Sequence, residues 1–325
     1  MTLRPQAHDI IRTWALYTII KSKLHHDDIP WKNIMISGHV LFKKGEKISK
    51  SKGQAMLTPE ELINKYSADA VRFWACRASL GKDVQFDENE IQNGKKLITK
   101  LYNACNFVFM NLSDYNYSTI DVNLELTDKW ILYRTQETVD KMNSYLEKFE
   151  FGIAMSEFEK FFWSDFCDNY LELVKDRIYK PEKYGNDKKL AGQYTLYKTM
   201  NTIIKLLAPY LPHITEELYQ EYFRKNENTI SIHLTKYPSN VFEYQDDKDY
   251  IYKGIDVSLQ IVELVRKFKT ENKISMGKEV ENIIIKSNKE QIEFLNKIKD
   301  DIIGITRAKN INFLENDLLE VNVIL

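Results

Sequence analysis

The sequence predicts a mostly α-helical protein with a short α/β segment at each end, and three patterns support this fold class. From Trp130 to about Phe223 the chain is a succession of amphipathic helical patterns. Apolar residues recur there every four positions, as expected for a helix stripe against a core; they are Phe158, Phe162, Phe166, Tyr170 and Val174. Near both ends, β-rich apolar runs alternate with helical patterns, which indicates α/β units.

The N-terminal segment begins with a helical pattern. Residues 8–24 carry apolar side chains at helical spacing and predict a buried helix. A β-rich run at residues 34–36, a Gly-His break and a second run ending at Phe42 follow. We therefore expect a strand that leads into the lysine-rich stretch after it.

A helix start follows the lysine-rich stretch. Thr58 is suited to the N-cap, Pro59 to the first helical position and Glu61 to the third, which together make a capping box. The helix-rich zone continues to about residue 112, and the polar residues 113–123 are the best candidate for a linker.

The C-terminal segment predicts a small α/β unit. Its pattern indicates a helix at residues 255–268, a strand at 280–286, a helix at 291–303 and closing strands. The sequence contains no internal repeat that would suggest a solenoid or an array.

Composition excludes several classes of protein. The net charge of −1 does not indicate a global nucleic-acid surface, so any basic site must be local. Three widely spaced cysteines argue against a zinc site or a disulfide framework and suit a reducing compartment; they are Cys76, Cys105 and Cys167. With no long apolar run and no signal-peptide pattern, we expect a cytoplasmic protein with no membrane partner and no protein-bound metal.

The lysine-rich stretch is the strongest candidate for chemistry. Residues 43–52 contain one acidic residue, Glu46, and five lysines; they are Lys43, Lys44, Lys47, Lys50 and Lys52. Lysine is a mobile point charge that suits a polyphosphate, and the serines and glycine let the backbone approach phosphate oxygens. The stretch does not match a Walker-type P-loop. A solvated charged loop and a phosphate-binding loop both remain open on these residues.

Order along the chain adds a family resemblance. The segment "KISKS" (47–51) resembles the Lys-Met-Ser-Lys-Ser signature of class I aminoacyl-tRNA synthetases, with Ile48 in place of Met. Flanking segments are similar to the valyl-tRNA synthetase family in the same order; they are "RPQAHDIIRTWALYTI", "PWKNIMISGHVL", "KYSADAVRFWA", "FCDNYLELVKDRIY" and "LAPYLPHITEELY". The first of these segments and Lys52 favour valine over isoleucine.

The resemblance implies an ATP-dependent reaction at the lysine-rich loop. Lys47 and Lys50 are expected to stabilise the triphosphate while the valine carboxylate attacks the α-phosphorus and pyrophosphate leaves. This is catalysis by positioning and electrostatics. Ser49 and Ser51 are expected to shape the loop. ATP is the expected substrate, together with Mg²⁺.

The resemblance also assigns roles outside the loop. Asp9 is expected near the ribose and the amino group, Ile10 and Trp14 on the wall of the amino-acid pocket, and Gly38 and His39 beside the adenine. Plainer alternatives remain for these residues. Ile10 and Trp14 can be core residues, Asp9 can be a helix N-terminal charge, and His39 can be a polar residue at a strand end.

The resemblance implies four domains. Residues 1–55 correspond to the C-terminal part of a Rossmann-like nucleotide-binding catalytic domain, and residues 56–125 to a stem-contact segment. Residues 126–240 correspond to a helical anticodon-binding domain, and residues 241–325 to a small α/β domain. The expected partners are valine-accepting tRNA and the N-terminal half of the catalytic domain.

The sequence departs from the family pattern at three points. Ala7 stands where the family usually has glycine, and Gln54 replaces the asparagine that usually follows the glycine of the loop. The family's His-x-Gly-His signature does not occur in these 325 residues. We therefore expect this chain to be the C-terminal part of a valine–tRNA ligase, inactive alone. The alternatives are a non-catalytic tRNA-binding paralogue and an isoleucine-specific relative.

Overall fold

The computed structural model describes residues 2–43, 46–47, 58–118 and 122–325. As the sequence predicts, these residues are mostly helical, with short sheets near both ends. None of the helices described there is long and apolar enough to cross a membrane. The chain forms two compact units, and the domain boundaries expected from the resemblance stay predictions.

Unit 1 consists of Met1–Tyr102, Lys141–Glu157 and Leu207–Glu217. It opens with two parallel strands, β1 (Leu3–Ala7) and β2 (Asn33–Ser37), which pair from Leu3↔Asn33 to Ala7↔Ser37. A second, three-stranded sheet has the order β4-β3-β5; its strands are β3 (Val40–Lys43), β4 (Glu46–Lys47) and β5 (Val84–Gln85). The predicted strand before the lysine-rich loop is therefore confirmed.

The connection between β1 and β2 is helical, but the prediction that residues 8–24 form a buried helix is wrong. The segment consists of a 3₁₀ turn (His8–Ile10), a π-helical turn (Ile11–Ala15) and α1 (Leu16–His26). No residue of α1 is buried. The periodicity identified an apolar face, but no described part of unit 1 covers that face.

Further helices of unit 1 follow the lysine-rich loop. They are α2 (Pro59–Tyr66), α3 (Ala68–Cys76) and the first part of α4 (Glu88–Met110). Thr58 and Glu61 form the predicted capping box at the start of α2. The small core includes Leu62, Tyr66, Ala70 and Ile91.

Unit 2 consists of Asn103–Asp140, Phe158–Leu206 and Leu218–Leu325. Its bundle uses residues from α4, α5 (Leu126–Leu146), α6 (Phe151–Lys160), α7 (Leu171–Tyr179), α8 (Pro181–Tyr184), α9 (Asn186–Leu207), α10 (Pro212–Leu218) and α11 (Arg224–Glu227). The parts of α5, α6, α9 and α10 outside these ranges belong to unit 1.

The predicted aromatic stripe lies in the core of this bundle. Phe158, Phe162, Phe166 and Tyr170 are fully buried, and successive rings stack at 5.6 to 6.4 Å between centroids. In an α-helix, a step of four residues turns about 40° past one full turn. The π-helical segment Phe161–Tyr170 is more loosely wound, which offsets this drift and keeps the rings in one row.

A buried ion-pair cluster lies beside the stripe. The Arg177 guanidinium donates hydrogen bonds to both carboxylate oxygens of Asp128, at 2.9 and 2.8 Å, and its Nε lies 2.9 Å from Asp301 Oδ1. Tyr170 donates its hydroxyl to Asp128, and Thr127 donates to Asp301. The cluster joins the start of α5, the last turn of α7 and the C-terminal segment.

The C-terminal segment has the predicted α/β character. It contains α12 (Lys248–Glu271), β6 (Val280–Ser287), α13 (Lys289–Lys297), α14 (Lys299–Thr306), β7 (Ala308–Glu315) and β8 (Glu320–Ile324). Strand β6 is central, parallel to β7 and antiparallel to β8. The single helix expected at residues 291–303 is instead two helices, because Ile298 leaves the helical conformation between them.

Candidate functional site

The candidate site lies where β1 and β2 end. Ala7 and Ser37 are the last paired residues of the two strands, and the chain then continues to Asp9 on one side and to Gly38 and His39 on the other. Ligands of open parallel sheets bind outside the carboxyl ends of the strands. The structure therefore brings these three predicted residues together at an edge suited to binding.

Two histidines and two aspartates form a cluster at this edge. The Nε2 atom of His39 lies 3.6 Å from Asp9 Oδ2, and the rings of His8 and His39 meet edge to face at 4.7 Å. Asp83 Oδ1 accepts a hydrogen bond of 2.7 Å from the backbone N–H of His39 and lies 4.0 Å from His8 Nδ1. The cluster offers donors and acceptors to hydroxyl and amino groups of a ligand.

The backbone at Gly38 fits tightly against the loop before β5. A Cβ atom at Gly38 would stand 2.0 Å from the carbonyl oxygen of Lys82, so only glycine fits this approach. Two backbone hydrogen bonds of 2.8 Å hold the same loop, from Gly81 N–H to the Ile36 carbonyl and from Val84 N–H to the His39 carbonyl. The loop therefore fixes the backbone that the resemblance associates with adenine.

A cavity of about 370 Å³ opens next to Gly38 and His39. Its apolar lining includes Met35, Val40, Trp74, Leu80, Val84 and Phe151. Cys76 also lines it, and burial raises the pKa of this thiol, which keeps it protonated and unreactive at neutral pH. The cavity suits an apolar group, and its Cys76 thiol is not activated as a nucleophile.

Ile10 and Trp14 follow Asp9 along the chain but differ in exposure. Ile10 is half-buried, whereas the Trp14 side chain is 53% exposed. The Arg4 guanidinium lies over the Trp14 ring, 4.1 Å from its centroid, in a cation–π contact. Trp14 is therefore not a core residue of the described structure, and its place on the wall of the amino-acid pocket stays a prediction.

The lysine-rich loop is described only at its start. Lys47 ends β4, where its backbone pairs with Leu41 of β3. Ser49, Lys50, Ser51 and the Lys47 side chain lie outside the described residues. Their roles in phosphate binding therefore stay predictions.

Sequence reasoning missed His8, Asp83 and Arg4. His8 is the neighbour of the predicted Asp9 and could have been found by asking which side chains share its turn. Asp83 lies 44 positions from His39, and the sequence around Asp83 has no pattern that indicates a binding site. In the part of the chain that the structure describes, no group of three or more His, Cys, Asp and Glu side chains could hold a metal ion.

Two family models match the chain. The model described as tRNA synthetases class I (I, L, M and V) matches residues 3–87, which include the cluster and the lysine-rich loop. The model described as the anticodon-binding domain of tRNA ligase matches residues 128–285, which include most of the helical bundle.

Relatives match the chain over nearly its whole length. The valine–tRNA ligase of Rickettsia akari is 39% identical over 338 aligned residues, which cover 100% of this chain and 40% of that protein. The Rickettsia felis enzyme is 40% identical, covering 100% of this chain and 38% of that protein. The Wolbachia enzyme from Brugia malayi is 39% identical, covering 97% and 36%. The chain thus spans about two fifths of the length of these relatives.

Among solved structures, a LeuRS has a similar fold. The LeuRS of Agrobacterium radiobacter K84, in a ternary complex with tRNA and LeuAMS, aligns with a TM-score of 0.55 and 19% identity. The alignment covers 73% of this chain and 29% of the LeuRS chain. At this identity the likeness supports the fold and nothing further.

Proposed function

We propose that the chain is part of a valine–tRNA ligase, because residues 3–87 match the class I tRNA synthetase model and valine–tRNA ligases are similar to it along its whole length. In this proposal it binds tRNA and supplies the lysine-rich loop to the ATP phosphates. The observation that carries the proposal is the 39% identity to a valine–tRNA ligase over all of this chain.

The arrangement at the ends of β1 and β2 supports a nucleotide site. We propose that adenine lies along the backbone at Gly38 and His39, beside the apolar cavity, and that Asp9 accepts hydrogen bonds from the ribose or the valine amino group. Strand β4 pairs with β3, which begins just after His39, and leads into the loop; we propose that Lys47 and Lys50 contact the triphosphate from there. Their positive charge is needed most as negative charge develops on the leaving pyrophosphate.

Mg²⁺ is proposed to arrive with ATP. Asp9 and Asp83 are the carboxylates of the cluster, and the described residues offer no third ligand that would hold a metal by themselves. Mg²⁺ commonly binds through substrate phosphates and keeps several waters. When bound, it would neutralise part of the triphosphate charge beside the two lysines.

An exposed apolar face on unit 1 supports the proposal that the chain has a partner. Parallel sheets normally have both faces covered, yet β1 and β2 form only a two-stranded sheet in the described structure. Large apolar side chains nearby are 40 to 78% exposed; they are Ile11, Trp14, Leu16, Tyr17, Ile19, Ile20 and Leu24. We propose that the His-x-Gly-His portion of the catalytic domain covers this face and completes the active site.

Purification of these 325 residues alone tests the proposal. Filter binding should detect tRNA binding that weakens steeply between 50 and 200 mM salt, as expected for phosphate contacts that release counterions. An ATP–pyrophosphate exchange assay with valine should detect no exchange, because orientation of the reactants is worth up to about 7–11 kcal/mol of the barrier. If tRNA binding is absent or does not depend on salt, the proposal that this chain binds tRNA is contradicted. If exchange is measurable, the proposal that the His-x-Gly-His portion is needed for activity is contradicted.

A further inference from the structure

A buried lysine in the C-terminal segment has no carboxylate partner among the described residues. Lys269, in the last turn of α12, is 1% exposed. Its ammonium donates hydrogen bonds to the carbonyl oxygens of Met276, Lys278 and Thr306, at 3.1, 2.8 and 2.9 Å. These bonds use all three N–H donors but supply only partial negative charge. A buried cation is normally paired with a full opposite charge, so Lys269 is only partly compensated.

Lys269 lines a cleft of about 290 Å³ together with two arginines. Arg266 lies three residues before Lys269 on α12, and Arg307 is the residue that follows α14. Burial, and then the positive charge of Arg307, lower the pKa of Lys269. Glu172 is the only carboxylate among the described lining residues, and it pairs with Lys175. The cleft therefore has three cations against one carboxylate, which a fourth cation already shares.

Both arginines have donors that no described acceptor uses. The Asp168 carbonyl accepts one hydrogen bond from Arg266, at 3.0 Å, and a guanidinium has five N–H groups. Nη1 of Arg307 lies 3.6 Å from Asp176, beyond hydrogen-bond distance. The backbone N–H of Gly277, which also lines the cleft, has no acceptor in the described structure. Free donors thus border the cleft from three separate segments of the chain.

We propose that this cleft binds a phosphate group. Arg266, Arg307 and the backbone N–H of Gly277 donate to its oxygens, and its negative charge compensates the buried Lys269. Guanidinium groups match phosphate in geometry and charge, and backbone N–H groups bind phosphate as well. All of these residues belong to unit 2, whereas the residues of the proposed ATP site belong to unit 1.

Other ions fit the cleft less well. A carboxylate presents two oxygens in one plane, whereas the donors here come from α12, from the turn at Gly277 and from the residue after α14. The oxygens of a tetrahedral phosphate point in different directions, which suits donors on several sides. A metal cation is disfavoured by the three positive side chains of the lining.

Two sources carry this chemistry. One is the backbone of an RNA, and the other is a free anion such as inorganic phosphate or pyrophosphate. Both interact with arginine through the same oxygens. The experiment therefore needs one arm for the free anions and one arm for RNA.

The test uses Arg307→Gly in the full 325-residue chain. Arg307 has a φ of 58°, a left-handed conformation that glycine adopts without strain, so the variant removes the guanidinium without disturbing the backbone. Lys273→Gly is the matched control. Lys273 is exposed and has a φ of 55°, but it is not among the residues that line the cleft. Circular dichroism and urea unfolding should show that both variants fold as the wild type does.

An amide NMR titration measures binding of the free anions at the cleft itself. Inorganic phosphate and pyrophosphate should shift the Gly277 amide signal in buffers of constant ionic strength, because this N–H is one of the proposed donors. The midpoint should lie about 10-fold higher in Arg307→Gly, which loses charge-assisted hydrogen bonds. Lys273→Gly should stay within about 2-fold of the wild type, since an exposed charge outside the cleft is screened. Acetate should not produce a saturable shift.

Filter binding of a valine tRNA transcript tests RNA as the source. If an RNA phosphate occupies the cleft, Arg307→Gly should weaken tRNA binding and reduce the slope of log affinity against log salt by about 1. Lys273→Gly should leave that slope unchanged. If Arg307→Gly weakens the binding of phosphate or pyrophosphate but not of tRNA, the site is one for the free anion.

Two results would overturn the proposal. In the first, Arg307→Gly and Lys273→Gly behave alike toward phosphate, pyrophosphate and tRNA, so that any effect comes from diffuse charge. In the second, acetate shifts the Gly277 signal with the same midpoint as phosphate, which means that the cleft does not select phosphate. A chain that binds pyrophosphate at Gly277 but does not bind tRNA contradicts the proposed function and supports the phosphate site.

Discussion

Gly38 and Lys82 lie so close that a Cβ on the first would stand 2.0 Å from the carbonyl oxygen of the second. This contact fixes the backbone between β2 and β3, where the candidate nucleotide site is built. The obstruction is backbone rather than a flexible side chain, so it cannot move aside cheaply.

Gly38→Ala should destabilise unit 1 by about 1–3 kcal/mol, the usual cost of overpacking a tight contact. Urea unfolding followed by tryptophan fluorescence measures the change. Gly277→Ala is the control, because a Cβ there meets nothing within 4 Å, and its effect should be within about 0.5 kcal/mol. Equal stability of the two variants would show that the backbone at Lys82 moves at little cost to make room for the added methyl group.

Asp301 should make unfolding depend on pH. Burial raises the pKa of this carboxyl from 3.8 to about 6. The folded state then binds its proton more tightly than the unfolded state, so the stability contributed by Asp301 is full below about pH 4. That contribution is lost as the pH rises through 6.

Comparison with Asp301→Asn isolates this effect, since the amide cannot titrate. The wild-type free energy of unfolding minus that of the variant should fall by up to about 3 kcal/mol between pH 4 and pH 7. Urea titrations at several pH values measure the difference. A difference that does not change with pH would mean that Asp301 is ionised in the folded state throughout this range.

Lys50→Ala should slow valine-dependent pyrophosphate exchange by about 10²–10³-fold in the assembled enzyme, the scale for losing one preorganised charge. Lys43→Ala is the control and should matter much less, because Lys43 precedes the signature segment. If neither substitution slows exchange, the lysine-rich loop is a solvated surface loop.

Trp14→Ala should raise the Michaelis constant for valine about 10-fold in the assembled enzyme, because it removes an apolar wall. Its effect on the tRNA dissociation constant should be small. Tyr17→Ala tests whether any apolar side chain lost from the same exposed face has this effect, since Tyr17 is 58% exposed one turn further along, and it should raise the valine constant less than Trp14→Ala. If the Michaelis constant for valine does not change, Trp14 has only a structural role, in its contact with Arg4.

Local signals in the sequence predicted local structure well. The Thr58–Glu61 capping box forms with both reciprocal hydrogen bonds, because its chemistry needs only four consecutive residues. The four-residue period of the aromatic stripe likewise predicted a buried face. In both cases the residues that carry the signal also make the contacts.

Features that depend on distant residues could not be predicted in the same way. The apolar face at residues 8–24 was expected to be buried, but periodicity does not show what covers a face. The bond between Asp83 and His39 joins residues 44 positions apart, and neither has a local pattern that points to the other. Asp9, Gly38 and His39 were located only through the family resemblance, and their roles still need testing.

The Arg177 cluster has a consequence for building hybrid enzymes. The family match to an anticodon-binding domain ends at residue 285, yet Arg177 shares its charge between Asp128 and Asp301. A chimaera joined at residue 285 would pair this arginine with whatever residue the donor places at position 301. If the donor has no acidic residue there, the buried Arg177 is paired with Asp128 alone, which leaves its charge less well compensated. Residues 128–301 should therefore be exchanged as one block.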